Sequence, residues 1–290
     1  MSSTGTTPAP AKVVPEGKYA DIGDGLRVHY HEAGSGPVVL FLHGSGPGAS
    51  GWSNFRRNYP VFAERGYRTL VPDTLGYGWS SKPDVDYTLD FLIGAVRRFL
   101  GKLGVERCAV VGNSHGGALS IGLALAAPEL VSRLVLMAPG GLEERETYMK
   151  MAGIRAMMKA FLVDGPITRE SMRTVFSLQL FDPALITDEI LSERLEIAAT
   201  QPKRVLTSMQ VPHLAPRLPE LACPVLGLWG VDDQFCPVSG AMTMAKGCKR
   251  ARVVMLSQCG HWVMVEHKDT FNKLCLDFLD EGRDERPGQP

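Results

Sequence analysis

The stretch Cys108-Ala109-Val110-Val111-Gly112-Asn113-Ser114-His115-Gly116-Gly117 restricts this chain more than any other. It opens as a short apolar run suited to a buried strand, and it continues from Ala118 to Ala127 as an apolar helix stopped near Pro128. Between the two lies Gly112-Asn113-Ser114-His115-Gly116, a G-x-S-x-G pattern. A strand that turns this sharply into a helix strains the backbone of the residue at its apex. It also crowds the positions two before and two after, where glycine fits. The turn pushes Ser114 out as a nucleophile, and the free N–H groups at the helix start point at whatever it attacks. His115 should contribute its backbone N–H while its ring faces away.

Such a turn needs a sheet around it, and the chain supplies one. Residues 37–42 are continuously apolar and read as a central strand, and 67–73, 133–138, 225–230 and 251–256 read as further strands. Residues 25–32 alternate as a half-exposed strand on which His29 and His31 read as decoration without chemistry. Residues 89–103 carry apolar side chains at helical spacing, and a last helix is expected near 270–279. Strand alternating with helix predicts an α/β fold, a mostly parallel central sheet covered by helices on both faces. From about 141 to 212 the strand signals vanish and short helices follow, near 168–180 and 187–200. A Met-rich stretch there (Met149, Met151, Met157, Met158) reads either as core or as the lining of a cleft for bulky apolar ligands. The predicted organisation is a loose N-terminal tail at 1–14, a core at 15–141 and 213–282, a helical lid at 142–212 and a C-terminal tail at 283–290.

Bulk properties exclude several classes. Thirty-one basic and thirty-one acidic residues cancel and are scattered, which argues against a nucleic-acid or acidic partner. No stretch approaches a membrane span, and the polar N-terminal residues do not read as a secretory signal. The six cysteines show no paired or metal-type spacing, so free thiols in a reducing cytoplasm are expected.

A serine hydroxyl requires a general base, and the base requires an orienting carboxylate. His261 lies just past the last strand, at the edge where sites assemble in a parallel sheet. Asp232 and Asp233 follow the strand ending at Gly230, at the same edge. The chain order Ser, Asp, His is the one expected for this type of turn, and either aspartate satisfies it. His43 reads as structural, and His213 and His267 lack a loop setting. The glycine-rich loop from His43 to Trp52 follows a buried strand and is suited to donate a backbone N–H to an oxyanion. On a helical wheel of residues 187–200, Arg194 falls within the apolar face between Ile190 and Ile197, while Glu189, Ser192, Glu193 and Glu196 fall on the other. An arginine so placed implies a structural salt bridge, a snorkelling stem or a ligand carboxylate.

Several of these segments resemble the meta-cleavage-product hydrolases, α/β-hydrolases that cut carbon–carbon bonds in dienoates made by ring-cleaving dioxygenases. The resemblance runs from about residue 17 to 279. It rests on His43-Gly44-Ser45-Gly46-Pro47-Gly48-Ala49 with Gly51-Trp52-Ser53-Asn54, on Gly112-Asn113-Ser114-His115-Gly116-Gly117, on Leu136-Met137-Ala138-Pro139-Gly140-Gly141, on Trp229-Gly230-Val231-Asp232-Asp233, and on Cys259-Gly260-His261-Trp262. It implies an α/β-hydrolase fold with a triad of Ser114, Asp233 and His261. It implies an oxyanion hole from the backbone N–H groups of His115 and the Ser45-Gly46 segment, and a dienoate pocket lined by Asn113, Arg194 and Trp262 with Asn54 nearby. His115 and Ser45 depart from the family, which often has Met or Leu and Gly there.

The implied reaction hydrolyses the C5–C6 bond of a 2-hydroxy-6-oxo-6-substituted-hexa-2,4-dienoate, in aromatic or steroid catabolism. It needs no metal or organic cofactor, and a homodimer or larger homo-oligomer is expected from the family. A carboxylesterase would share the triad but has no need of a lid arginine. Dehalogenases and epoxide hydrolases of this fold use an aspartate nucleophile. A non-catalytic receptor on the same scaffold would not need all of Ser114, Asp233 and His261.

Overall fold

A computed structural model describes residues 16–163 and 165–281, so the two tails expected at 1–14 and 283–290 lie outside the described residues. The chain runs β1 (Lys18–Asp21), β2 (Arg27–Ala33), β3 (Val38–Leu42), α1 (Gly51–Phe55), α2 (Tyr59–Glu64), β4 (Arg68–Pro72), α3 (Leu89–Lys102), β5 (Cys108–Asn113), α4 (His115–Ala126) and β6 (Val131–Met137). After β6 come α5 (Arg145–Lys150), α6 (Ala152–Met158), α7 (Arg169–Gln179), α8 (Asp188–Ala198) and α9 (Arg204–Thr207). The last part is β7 (Val225–Gly230), α10 (Ser239–Gly247), β8 (Ala251–Leu256), α11 (Val263–Glu266) and α12 (Lys268–Asp280).

The strands form one sheet in the order β1-β2-β4-β3-β5-β6-β7-β8. Pairing is antiparallel from β1 through β2 to β4 and parallel from β4 to β8. The strand period of two sorts the apolar runs between two cores. Leu40, Leu42, Val110, Leu134 and Leu136 face α3, α4 and α10, whereas Val39, Phe41, Val111, Val135 and Met137 face α1, α2 and α12. Being covered on both faces is what makes these strands continuously apolar.

The second core continues into the residues between β6 and β7, through Met157, Met172, Val175, Phe176 and Leu191. Met157 is therefore buried, while Met149 of the same Met-rich stretch is exposed. Two expectations need correction. His29 and His31 are both buried, because α1, α2 and the loop after β4 cover their face of β2 while Phe99 of α3 packs on Tyr30 on the other; the strand is not half-exposed. Glu193 is also buried, at 6% exposure, because it pairs with Arg56, just past α1, at 2.5 Å, a contact no helical wheel contains. The short strand β1 had no sequence signal of its own, since only Ala20 of its residues is buried.

Candidate active site

Ser114 sits between β5 and α4 with φ 54° and ψ −116°, a left-handed backbone that a non-glycine residue adopts only under constraint. The constraint comes from packing. The Ser114 N–H donates to the Met137 carbonyl of β6 at 2.9 Å, and the Ser114 carbonyl accepts from Gly140 at 3.0 Å. A Cβ at Gly112 would lie 2.5 Å from the Gly116 carbonyl oxygen, and one at Gly116 would lie 2.1 Å from that of Leu42. Both positions must therefore be glycine for the turn to close. Because α4 starts at His115, the His115 N–H is one of the first-turn donors that have no partner within their helix.

His261 arrives on the loop after β8, and its N–H is fixed by the Gln179 carbonyl of α7 at 2.8 Å. Its Nδ1 donates to Asp233 Oδ2 at 2.7 Å, which leaves Nε2 as the acceptor. The other oxygen of Asp233 accepts from the N–H groups of Phe235 and Cys236, at 2.7 and 2.9 Å. Asp232 turns away, and its carboxylate meets the Cys259 N–H at 3.3 Å. The Phe235 ring stacks on His261 with centroids 5.2 Å apart. Burial and the nearby Asp233 carboxylate keep the Cys236 thiol protonated, opposed only in part by its hydrogen bond with Ser114.

The glycine-rich loop is held from below. His43 Nδ1 donates to the Gly44 carbonyl at 2.7 Å and Nε2 accepts from the Thr74 N–H at 3.0 Å, which requires a neutral ring. Burial lowers its pKa in the same direction. Asp73 accepts from the Gly51 N–H at 2.7 Å, the Trp79 N–H at 2.8 Å and His29 Nδ1 at 2.8 Å. Burial alone would raise the Asp73 pKa, but the His29 hydrogen bond and charge hold it below the usual carboxylate range. His29 is thus no decoration of its strand but half of a buried pair that anchors this loop.

One cleft gathers Gly44, Ser45, Gly46, Asn54, Asn113, Ser114, Arg194, His261 and Trp262. Asp233 stands behind His261. Apart from His115, which follows Ser114 at the start of α4, the site residues expected from the sequence thus fall at one place, beside the carboxyl edge of the sheet where β5 delivers Ser114. Asn113 Nδ2 donates to the carbonyls of Met137 and His261 at 3.4 and 3.3 Å, while its buried Oδ1 has no partner. Asn54 spends its Nδ2 on the Ser50 carbonyl at 3.1 Å.

Arg194 is 1% exposed. Its guanidinium lies 5.0 Å from the Trp262 ring centre and 5.4 Å from that of Phe176. Its Nη1 donates to the Pro47 carbonyl at 3.3 Å, and Nε is buried without a partner among the described residues. Burial lowers its pKa to about 10, opposed by Glu193, so it remains a cation at neutral pH. The neighbouring Glu193 is already paired with Arg56. The arrangement is a buried cation in an aromatic slot, with no carboxylate hydrogen-bonded to it among the described residues.

Ile154, Met157, Val175, Gln179 and Phe235 also line this cleft, and sequence reasoning named none of them as site residues. Only Met157 carried a signal, as part of the Met-rich stretch. Among the described residues no cluster of three or more His, Cys, Asp or Glu side chains is arranged to hold a metal ion.

Comparison with known proteins gives the family. Residues 37–268 match the family model described as the alpha/beta hydrolase fold. A 2-hydroxy-6-oxo-6-phenylhexa-2,4-dienoate hydrolase from Comamonas testosteroni is 38% identical over 89% of this chain and 93% of its own length. A 2-hydroxy-6-oxononadienedioate/2-hydroxy-6-oxononatrienedioate hydrolase from the same organism is 37% identical over 89% and 92%. The structure of the meta-cleavage product hydrolase from Pseudomonas fluorescens IP01, in a mutant form complexed with acetates, aligns with a TM-score of 0.82 at 29% identity, covering 92% of this chain and 98% of that one. Matched over most of its length in family model, sequence and fold, the chain belongs to the α/β-hydrolase family and, within it, to the meta-cleavage product hydrolases.

Proposed function

We propose that this protein hydrolyses the C5–C6 bond of a 2-hydroxy-6-oxo-6-substituted-hexa-2,4-dienoate, yielding 2-hydroxypenta-2,4-dienoate and a carboxylic acid. The observation that carries the reading is the shared cleft of Ser114 and His261 with Arg194, a buried cation lacking an anion. An ordinary esterase has the first pair and no use for the second.

Arg194 takes the substrate carboxylate, a bidentate partner for which its fork is shaped. Asn113 Oδ1, without a partner in the cleft wall, accepts from the 2-hydroxyl group. Held so, the dienol ketonises and C5 becomes tetrahedral, which frees the C5–C6 bond to break. His261, oriented by Asp233, removes the proton as Ser114 adds to the C6 carbonyl, directly or through a water it activates. The oxyanion is met by the backbone N–H groups of His115 and the Ser45-Gly46 segment. Collapse sends the C5–C6 electron pair into the conjugated dienolate, and water releases the acid from any acyl-serine.

The helices between β6 and β7 serve as a lid. That reading is supported by three contacts with the core: Gly153 N–H to the Gln234 carbonyl at 2.9 Å, Gly48 N–H to Gln201 at 2.8 Å, and the Glu193–Arg56 pair. Six unpaired cysteines suit a reducing cytoplasm. A homo-oligomeric state and a place in aromatic or steroid breakdown follow from the family reading.

The test is direct. Purified protein with 2-hydroxy-6-oxo-6-phenylhexa-2,4-dienoate should bleach the yellow dienoate absorbance and release benzoate in equal amount, and Ser114→Ala should stop both. A folded wild-type protein that leaves the dienoate intact refutes the reading.

A further inference from the structure

The two Comamonas relatives differ in what their names put on C6: a phenyl group in one, a two-carbon chain ending in a carboxylate in the other. Their identities to this chain, 38% and 37%, do not separate the two. The cleft does.

From the walls of the cleft we infer that this enzyme takes dienoates whose C6 substituent is apolar and uncharged, and rejects those bearing a second carboxylate there. The inference rests on the dienoate hydrolase reading above. Arg194 is the only lysine or arginine among the residues lining the cleft, and the substrate's first carboxylate occupies it. Beyond the glycine-rich loop, the asparagines and the triad side, the wall is Ile154 and Met157 of α6, Val175 and Gln179 of α7, and Phe235 beside His261.

Both lid helices carry cations and turn them outward. On α6, Ile154 and Met157 stand at i and i+3 facing the cleft, while Arg155 is exposed with its guanidinium on the Lys150 carbonyl at 2.7 Å. On α7, Val175 and Gln179 stand at i and i+4 facing inward. Arg169 and Arg173, also four apart, are exposed and share Asp188 at 3.2 and 3.0 Å. Neither helix can supply an inward cation without rotating its apolar face into water.

Rotation is also blocked. A Cβ at Gly153 would lie 2.3 Å from the Phe235 ring, so α6 rests directly on the loop that carries Asp233. A second carboxylate would thus be desolvated against Met, Val, Ile and Phe, with neutral amides and hydroxyls but no second lysine or arginine in the lining to meet it. A buried charge without a partner is among the costliest arrangements in a protein.

The experiment compares kcat/KM for three dienoates on the wild-type protein: 6-phenyl, 6-butyl and the 2-hydroxy-6-oxonona-2,4-diene-1,9-dioate. The butyl chain matches the propionate chain in length and flexibility but has no charge. Phenyl and butyl substrates should each exceed the dioate by at least about a hundredfold. Met157→Arg should narrow the butyl-to-dioate ratio by about tenfold or more, and the wild-type ratio decides the matter should that variant not fold. A dioate cleaved as well as the butyl substrate overturns the inference and leaves the dienoate reading standing. Failure to cleave any of the three, in protein that still hydrolyses an aryl acetate, removes the dienoate reading and the inference together.

Discussion

Arg194→Met separates binding from folding at a single residue. The guanidinium is buried, has one hydrogen bond at 3.3 Å and leaves Nε without a partner. The carboxylate whose charge acts on it, on Glu193, is neutralised by Arg56 at 2.5 Å. Removing the arginine therefore leaves no buried anion stranded, and it relieves a charge that burial already disfavours, as its pKa of about 10 records. Methionine fills similar volume and packs on Phe176 and Trp262. Thermal stability should stay unchanged or rise. With a dienoate bound the balance inverts, because the substrate carboxylate then has no counter-charge in an aromatic slot. Leaving one member of a buried pair alone costs roughly 3–5 kcal/mol. At about 1.4 kcal/mol per decade, kcat/KM for the phenyl dienoate should fall by roughly two to four orders of magnitude. Hydrolysis of 4-nitrophenyl acetate, which has no carboxylate, should change by less than about tenfold. Arg194→Lys should recover only part of the loss, since a point charge cannot replace a fork. Equal losses on both substrates, or a lowered melting temperature, would mean that Arg194 holds the lid together and binds nothing.

Asp233→Asn should lower dienoate turnover by on the order of 10⁴-fold by disturbing the His261 tautomer. Asp232→Asn loses one long hydrogen bond and should cost under about tenfold; kinetics giving the reverse order would reassign the acid. Combining Asp233→Asn with His261→Ala should cost little more than His261→Ala alone, because the groups act as a unit. Burial lowers the His115 pKa from 6.5 to about 4, so the unfolded chain binds the extra proton first and stability falls as pH drops from 6.5 towards 4. At pH 5 that one group accounts for about 2 kcal/mol of lost stability. Urea unfolding of His115→Met at pH 7.5 and pH 5 should show a correspondingly smaller pH dependence than wild type, and an unchanged dependence would show that the His115 ring is not held neutral by the fold.

Much of this protein was legible without coordinates, because much of it is written in short-range pattern. A strand covered on both faces must be continuously apolar, so β3, β5, β6 and β7 announce themselves. The turn at Ser114 needs glycine on both sides for steric reasons that act over a few residues. Once the sheet is parallel, the loops after its strands must meet at one edge, so Ser114, the aspartate pair and His261 could be brought together from chain order alone. Single-helix periodicity also marked Arg194 as a cation on an apolar face.

Periodicity says which side of an element is apolar; it is silent on which polar groups on different elements will meet. That choice was left to contacts between residues far apart in the chain. Glu193 looked solvent-facing until α8 packed on α1 and gave it Arg56, 137 positions away. His29 looked idle until the loop after β4 brought Asp73 to it, 44 positions on. Asp233 and Asp232 are equivalent in composition and adjacent in sequence. They part only because the backbone after β7 turns one carboxylate to His261 and the other to the Cys259 N–H. The same holds for the wall that reads the C6 group: Ile154, Val175 and Phe235 are unremarkable apolar residues until three separate elements close around one space. Burial of a polar side chain is a property of the partner it finds, and the partner is chosen when the layers pack.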